Sequence, residues 1–253
     1  MSQPSRRRSL ATSRFARALR RNISLYPGLY LPIRKFRKPE TVVTRQTELL
    51  VEGFPRSGNT WMEALLRSCS ERDLRLAHHS HAAGHVKYAV KIGAPTVVLY
   101  RDPDDAVRSY LTLYNNSIDA RDAYLDYITF YEAVFPLRDK GVLFFSFDEV
   151  TQAPSKVIDS INSSFSIGLD SSVIRADGGQ ESVYKRMDQK AARLGRAQGK
   201  SDSRPGNSSE ETARQREIAK SAIDRPEVRS QREVAKRTYQ KLISEFAGKD
   251  PPA

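Results

Sequence analysis

Apolar residues are spaced in two different ways along the chain, and the change of spacing predicts where a strand gives way to a helix. Residues 49–53 are mostly apolar, and a turn rich in proline, serine and glycine follows at 54–59. Apolar side chains return at the helical spacing of Trp61, Leu65 and Leu66. We therefore expect a strand, a loop and a helix in this order.

The same alternation recurs further along the chain. Short apolar runs at 97–100 and 142–147 predict two more buried strands, each followed by a helical pattern. A stripe of aromatic side chains between these runs is typical of a helix packed in the core: Tyr124, Tyr127, Tyr131 and Phe135. Strands that alternate with helices indicate an α/β fold, in which helices flank a central parallel sheet.

Composition divides the chain into an arm and a domain. Residues 1–39 hold 11 Lys or Arg and no acidic residue, so most of the net charge of +12 lies there and the remainder is near neutral. We place a basic arm at 1–45 and an α/β domain at 46–250. Within the domain, the polar stretch 178–209 predicts a long loop, and the apolar spacing at 226–246 predicts a C-terminal helix.

Three interpretations of the basic arm stay open. Its arginines are interspersed with a few apolar residues, among them Leu10, Phe15 and Leu19, as in a weakly amphipathic helix. Such a segment is typical of a solvated tail, of a contact with an anionic membrane, or of an organelle transit peptide. No apolar stretch in this region reaches the roughly 20 residues that span a bilayer. We expect a cytoplasmic protein, soluble or bound at a membrane surface, with no nucleic-acid partner.

Cysteine and histidine content narrows the chemistry further. A single cysteine, Cys69, makes an intrachain disulfide impossible, and we expect a buried, unreactive thiol. All four histidines fall within residues 78–85, where His81 and His85 have the i, i+4 spacing of a shared zinc face. Because no cysteine or carboxylate lies within this cluster, we do not expect a metal.

The turn at 54–59 has the form of an anion-binding loop. Backbone N–H groups and the positive end of the following helix point at one spot there. The glycine spacing nearly satisfies the Walker A pattern, but Asn59 stands where an ATP-binding loop carries its lysine. The sequence therefore predicts a phosphate-binding loop that differs from that of an ordinary ATPase.

The segment Pro55-Arg56-Ser57-Gly58-Asn59-Thr60-Trp61 resembles the loop that binds the 5′-phosphosulfate group in sulfotransferases that use 3′-phosphoadenosine 5′-phosphosulfate (PAPS). A second segment supports this resemblance, which covers about residues 47–210. In the family, an arginine at a strand end and a serine eight residues later bind the 3′-phosphate, and Arg101 and Ser109 have this spacing. An arginine fork can hold phosphate oxygens with two parallel hydrogen bonds.

The resemblance implies a P-loop-type three-layer fold and transfer of a sulfuryl group from PAPS to an acceptor hydroxyl on a carbohydrate, a lipid or a small alcohol. No metal is implied. Arg56, in place of the usual lysine, would neutralise charge on the transferred group. Thr60 and the backbone N–H groups of 57–59 would hold the 5′-phosphate. Trp61 would stack on adenine or lie in the core. The implied donor-binding residues are Arg56, Ser57, Gly58, Asn59, Thr60, Trp61, Arg101, Ser109, Arg204 and Gly206, the last two standing where the family has a late Arg-Lys-Gly segment.

The resemblance also selects a base, because members that act on hydroxyls place a histidine some 20 residues before the 3′-phosphate arginine. Counting back 22 residues from Arg101 gives His79, with His81 as the alternative. An unperturbed histidine has a pKa of about 6.5, so it can accept a proton at neutral pH.

Two rival functions remain. One is a P-loop kinase or another ATP-dependent phosphotransferase, which would need a lysine at Asn59 and a carboxylate such as Asp102 to organise Mg²⁺. The other is a protein that binds anionic surfaces through its basic arm.

Overall fold

Parallel strands form the centre of the molecule. The computed structural model describes residues 14–193 and 210–246. Its strands are β1 (Leu49–Gly53), β2 (Leu76–His78), β3 (Thr96–Tyr100) and β4 (Val142–Ser146). They pair in the order β2-β1-β3-β4, and every pairing is parallel. The predicted α/β fold with a parallel sheet flanked by helices is confirmed.

Helices make up most of the rest of the described chain. In order they are α1 (Arg14–Ile23), α2 (Pro27–Arg37), α3 (Asn59–Ser68), α4 (Ala83–Lys91), α5 (Pro103–Leu113), α6 (Ala120–Val134), α7 (Phe147–Gln152), α8 (Pro154–Phe165), α9 (Ser172–Arg175), α10 (Gly179–Arg193), α11 (Glu210–Ile223) and α12 (Arg229–Phe246). Short 3₁₀ helices cover Pro39–Thr41, Phe135–Lys140 and Pro226–Val228.

Both faces of the sheet are covered, because successive strand residues point in opposite directions. Leu50 and Val98 belong to a core shared with α4, α5, α6, α11 and α12. Val51 and Val97 belong to a second core shared with α3, α8 and α10. The near-continuous apolar sequence of the strands is therefore explained by burial on both sides.

Two local features fix the elements that surround the site. Gly53 ends β1 opposite Leu99, where a Cβ would come within 2.5 Å of the Leu99 carbonyl oxygen, so only glycine fits. Asp102 caps α5 by accepting hydrogen bonds from the N–H groups of Asp104 and Asp105, and Pro103 opens the helix. The strand, loop and helix predicted around both segments are confirmed.

The loop predicted for 178–209 is wrong over its first half. Residues 179–193 form α10, which packs on α3 and buries Val183, Met187 and Ala191. These three apolar residues repeat every four positions among charged neighbours, and burial of this narrow stripe stabilises a helix whose average composition is polar. Residues 194–209 lie outside the described part.

The described part of the basic arm lies against the domain. Arg17 pairs with Asp126 of α6, and Arg21 Nε donates to the same carboxylate at 2.7 Å. The Gly84 N–H of α4 donates to the Ser24 carbonyl at 2.6 Å. Residues 14–37 therefore pack as two helices on the body of the protein. None of the helices described here combines the length and the apolar character needed to cross a bilayer.

Candidate functional site

The carboxyl ends of the parallel strands meet at one edge of the sheet, and polar side chains follow directly after them. Arg56 follows β1, His79 and His81 follow β2, and Arg101 follows β3. A cavity of about 670 Å³ opens between these segments. This volume lies within the range of small-molecule sites, about 300–1,000 Å³, and the switch from β2 to β3 across β1 is where open α/β sheets bind ligands.

The two segments predicted to bind phosphate groups contact each other. Arg56 Nε donates to Ser109 Oγ at 2.8 Å, across 53 residues of sequence. Arg101 Nη1 donates to the Arg56 carbonyl oxygen at 3.1 Å, and its guanidinium stacks 4.0 Å above the Phe147 ring. Burial lowers the pKa of Arg101, which stays a cation because guanidinium groups do not lose their proton in proteins. Arg56, Arg101 and Ser109 are thus brought together, and the two arginines line the cavity.

The loop after β1 presents the start of α3 to the same place. Gly58 has φ of 100° and precedes the first helical residue, and Arg56 also adopts a left-handed backbone, with φ of 72°. The first N–H groups of a helix have no intrahelical acceptor and carry partial positive charge. The N–H groups at the start of α3 are therefore available to an anion.

The side chains of Ser57 and Asn59 support the loop from within. Both are buried, and the Asn59 amide donates to the Phe54 carbonyl oxygen at 3.2 Å. Ser57 Oγ lies 3.1 Å from Tyr131 Oη, and the Ser57 N–H donates to the Phe54 carbonyl at 3.2 Å. The Ser57 N–H is therefore used within the loop. Of these two predicted donor-binding residues, Asn59 can still offer its backbone N–H to a ligand.

Tyrosines of α6 tie the two segments to the core. Tyr131 Oη accepts from the Phe54 N–H at 3.3 Å and donates to the Leu99 carbonyl oxygen at 2.8 Å. Tyr127 Oη donates to the Arg101 carbonyl oxygen at 2.8 Å. Burial raises the pKa of Tyr131, so its hydroxyl keeps its proton. The predicted core stripe is confirmed for Tyr124, Tyr127 and Tyr131, whereas Phe135 is half-buried and begins the 3₁₀ helix after α6. The tyrosine hydroxyl groups also have a role that apolar spacing does not reveal.

A buried carboxylate shapes the histidine segment after β2. Glu52 accepts hydrogen bonds from the N–H groups of Ser80 and His81, both at 2.8 Å. His85 Nε2 accepts the Val43 N–H, so the proton lies on Nδ1 and is donated to Glu52 at 2.9 Å. Burial alone would raise the pKa of Glu52, but the hydrogen bonds from His85 and Ser80 and the electrostatic interaction with His85 and His81 outweigh it and hold that pKa at about 2.

Sequence reasoning missed Glu52, although it is the one charged residue in an otherwise apolar strand. His79 and His81, which flank the Ser80 N–H that it holds, both have left-handed backbones, with φ of 56° and 52°. Outside glycine such conformations are uncommon and are concentrated at functional sites.

The two candidate bases differ in how their rings are held. His79 Nε2 lies 3.2 Å from Thr60 Oγ1, and its Nδ1 lies 2.7 Å from His78 Nδ1, so both ring nitrogens have partners. His81 Nδ1 lies 2.7 Å from the Gly53 carbonyl oxygen. Because a carbonyl only accepts, the His81 proton is on Nδ1 and Nε2 carries a lone pair.

Both histidines are neutral at physiological pH. Loss of solvation, together with neighbouring His81 and His78, lowers the pKa of His79 to about 3. Burial also lowers the pKa of His81, against the opposing effect of Glu52. A neutral imidazole can accept a proton, and a bound anion would raise its pKa towards the working range.

Glu63, His78 and His79 lie close enough to share a metal ion. The Glu63 carboxylate is already paired with Lys190 and Arg67. Burial alone would raise the pKa of Glu63, but His78 and Lys190 have the larger effect and lower it. The Glu63 carboxylate is therefore charged, and its basic neighbours balance that charge. The other geometry considered for zinc fails because both ring nitrogens of His85 are bonded inside the core.

The remaining predicted residues are placed as follows. Trp61 is buried, its indole N–H donates to the Val150 carbonyl oxygen at 2.7 Å, and its ring packs on Tyr184 while bordering the cavity. Arg204 and Gly206 lie outside the described residues. Cys69 is buried, which raises its pKa to about 11 and keeps the thiol protonated.

The arm contributes to the cavity, which sequence reasoning did not foresee. Arg34 of α2 donates to the His79 carbonyl oxygen at 3.0 Å, and Tyr30 donates to the Ser80 carbonyl oxygen at 3.0 Å. The basic residues that line the cavity are Arg17, Arg20, Arg21, Arg34, Lys38, Arg56, Arg67, Arg101 and Lys190, against the acidic residues Glu40, Glu63 and Asp126. The cavity is therefore suited to an anionic ligand.

A scan against protein-family models finds no match for this chain, and a search of curated proteins finds none either.

Proposed function

We propose that the protein transfers a sulfuryl group from PAPS to an acceptor hydroxyl. The observation that carries the proposal is the pair of contacts by which Arg56 reaches Ser109 and Arg101 reaches the Arg56 carbonyl. They join two anion-binding segments at one cavity. PAPS carries anionic groups on both the 3′ and the 5′ side of its ribose, so it needs two such segments close together.

The first segment suits the 5′-phosphosulfate. We take the loop after β1 as P-loop-type, with N–H groups at the start of α3 and the Thr60 hydroxyl on the 5′-phosphate. Arg56 neutralises charge that builds on the bridging oxygen as the sulfur leaves it. A planar guanidinium can contact two oxygens at once, so the replacement of the family's lysine keeps this role.

The second segment suits the 3′-phosphate. The Arg101 guanidinium is held by the Arg56 carbonyl oxygen and the Phe147 ring. The Arg101 backbone is held by the Tyr127 hydroxyl, which donates to the Arg101 carbonyl oxygen. A group held in this way loses little side-chain entropy when it binds an anion. Ser109 adds a neutral hydrogen bond from the same helix that Asp102 caps.

The reaction breaks the bond between sulfur and the 5′-phosphate oxygen and forms one between sulfur and the acceptor oxygen. The acceptor proton passes to a histidine, and 3′-phosphoadenosine 5′-phosphate leaves. The resemblance points to His79 as the base, whereas the hydrogen bonds favour His81, whose Nε2 lone pair is unshared once Nδ1 is held by Gly53. His79 would then orient Thr60 on the donor.

The kinase alternative has less support. Asn59 replaces the lysine of an ATP-binding loop, and the Asp102 carboxylate is used to cap α5. A kinase would need both positions for other purposes.

The test is transfer of a labelled sulfuryl group from PAPS to pools of carbohydrates, lipids and small alcohols. With an acceptor in hand, His81→Asn and His79→Asn separate the two candidates. We expect His81→Asn to slow transfer by about 10²–10⁴-fold, as for loss of a general base, with donor affinity unchanged. His79→Asn should weaken donor binding through Thr60. Phosphoryl transfer from ATP, with no transfer from PAPS, would contradict the proposal.

A further inference from the structure

Exposed apolar side chains are concentrated on the two N-terminal helices. Among the described residues nine large hydrophobic side chains are exposed, and six of them lie on α1, α2 or the turn between them: Phe15, Leu19, Tyr26, Leu29, Ile33 and Phe36. Phe15 is 79% exposed and Phe36 is 92% exposed. Isolated exposed apolar residues are ordinary, but a group of this size marks an interaction surface.

The exposed residues form stripes on the outward side of each helix. Leu29, Ile33 and Phe36 follow the i, i+4, i+7 spacing of one face of α2, and Phe15 and Leu19 are four residues apart on α1. The other side of each helix carries the groups that bind the domain. Tyr30 and Arg34 donate to the histidine segment, and Arg17 pairs with α6. These helices thus reverse the usual pattern, with polar anchors turned inward and an apolar face turned out.

The charges on the same two helices favour one kind of partner. Arg20, Lys35, Arg37 and Lys38 are exposed among these apolar residues, and no acidic residue occurs in the sequence before Glu40. Basic charge alone would suit any polyanion, including nucleic acid. Large exposed apolar side chains interspersed with that charge suit a lipid surface, where aliphatic and aromatic groups enter the acyl boundary while lysine and arginine meet acidic headgroups.

We propose that α1 and α2 dock the protein on a membrane that contains anionic lipids. Phe15 and the stripe of α2 enter the interface, and the exposed basic residues contact the headgroups. Arg20 of α1, Arg34 of α2 and Lys38, directly after α2, also line the cavity. Docking therefore places at the membrane surface two helices that also border the cavity. If the proposed sulfuryl transfer holds, an acceptor carried on a lipid or at the membrane surface has the shortest path to it, but docking itself does not depend on that chemistry.

The test is flotation of the full chain with vesicles of phosphatidylcholine and phosphatidylserine, compared with phosphatidylcholine alone. The wild type should float with the anionic vesicles only. The double variant Leu29→Glu, Phe36→Glu removes apolar contact and adds repulsion, and should bind at least about tenfold more weakly. Ile218→Glu is the matched control, because Ile218 is an exposed apolar residue on α11 and should leave binding unchanged. Circular dichroism checks that each variant is folded.

Three outcomes would overturn the proposal. The wild type fails to float with either vesicle. The double variant floats as well as the wild type, which would mean that basic charge alone accounts for vesicle binding. Sedimentation velocity shows a dimer that the double variant dissociates, with no vesicle binding by the wild type, which means that a second copy of the chain covers this face.

Discussion

Arg56 Nε lies 2.8 Å from Ser109 Oγ, so the loop after β1 donates a hydrogen bond to helix α5, which follows β3. In the proposed reaction these two side chains serve different ends of the donor. The contact joins Ser109 to Arg56, which lines the cavity. In the proposed reaction, donor binding exchanges this contact for contacts with oxyanions.

Replacing this serine tests the link between the segments. Ser109→Ala removes a hydrogen bond to a cationic side chain and a hydroxyl for the 3′-phosphate. Because such bonds contribute about 1.5–3 kcal/mol, we expect 3′-phosphoadenosine 5′-phosphate to bind at least tenfold more weakly by titration calorimetry. Ser117→Ala, just beyond the same helix, should bind as the wild type does. Equal affinity in both variants would show that Ser109 does not contact the nucleotide.

The hydroxyl of Tyr131 is expected to stabilise the loop as well as the core. Tyr131→Phe leaves the Leu99 carbonyl oxygen and the Phe54 N–H without their partner, so the free energy of unfolding should fall by about 1–3 kcal/mol in urea denaturation. Tyr100→Phe is the matched control, because the buried Tyr100 hydroxyl has no hydrogen-bond partner among the residues described. That change should be neutral or slightly stabilising. Equal losses from the two changes would contradict the account.

Glu52 is expected to position the histidine segment. In Glu52→Gln only one side-chain oxygen remains, so one of the Ser80 and His81 N–H groups loses its acceptor. We expect a loss of about 2–3 kcal/mol in unfolding free energy and slower transfer at unchanged donor affinity. The control is Glu48→Gln. Because the partners of Glu48, Arg72 and Arg75, are largely exposed, this change should lower the free energy of unfolding by less than about 1 kcal/mol. Transfer at the wild-type rate in Glu52→Gln would remove the positioning role.

Acid should destabilise the protein through its histidines. His79 has a folded-state pKa of about 3, far below the ordinary value of about 6.5. Between these values the unfolded chain binds a proton that the folded chain does not, so the free energy of unfolding falls as the pH falls. The slope for one histidine is at most about 1.4 kcal/mol per pH unit.

His79→Asn should therefore reduce the pH dependence of stability, measured by urea denaturation between pH 7 and pH 5. Glu52 does not contribute in this window, because its lowered pKa affects stability only as the pH falls below about 4.5. Burial shifts the pKa of His78 and His81 in the same direction, so a residual slope should remain. Parallel slopes in wild type and variant would show that His79 takes up its proton at an ordinary pKa.

The parts of the fold that local patterns encode could be predicted. Strand β3, the Pro103 helix start and the apolar face of α12 each follow from residues close in sequence. The support of the site could not, because Glu52 reaches Ser80 across 28 residues and Tyr131 reaches Phe54 across 77. Such contacts exist only once the sheet has formed.

Composition was misleading in two places for the same reason. The average polarity of 178–209 concealed the narrow apolar stripe of α10. The summed charge of the arm concealed the fact that Arg17 and Arg21 meet Asp126 of α6. In both cases a few residues on one face decide the structure, and an average over the segment does not register them.

In the proposed function, one cavity binds a nucleotide through separate 3′- and 5′-anion segments. The decisive experiment is a titration of the protein with 3′-phosphoadenosine 5′-phosphate and, separately, with ATP and Mg²⁺. The wild type should bind the first ligand and not the second. Arg101→Ala should weaken binding by about 2 kcal/mol, roughly thirtyfold. Arg108→Ala, which removes a half-exposed arginine paired with Asp105 on the same helix, should change nothing. Preference for ATP, or equal affinity in Arg101→Ala and the wild type, would contradict the account.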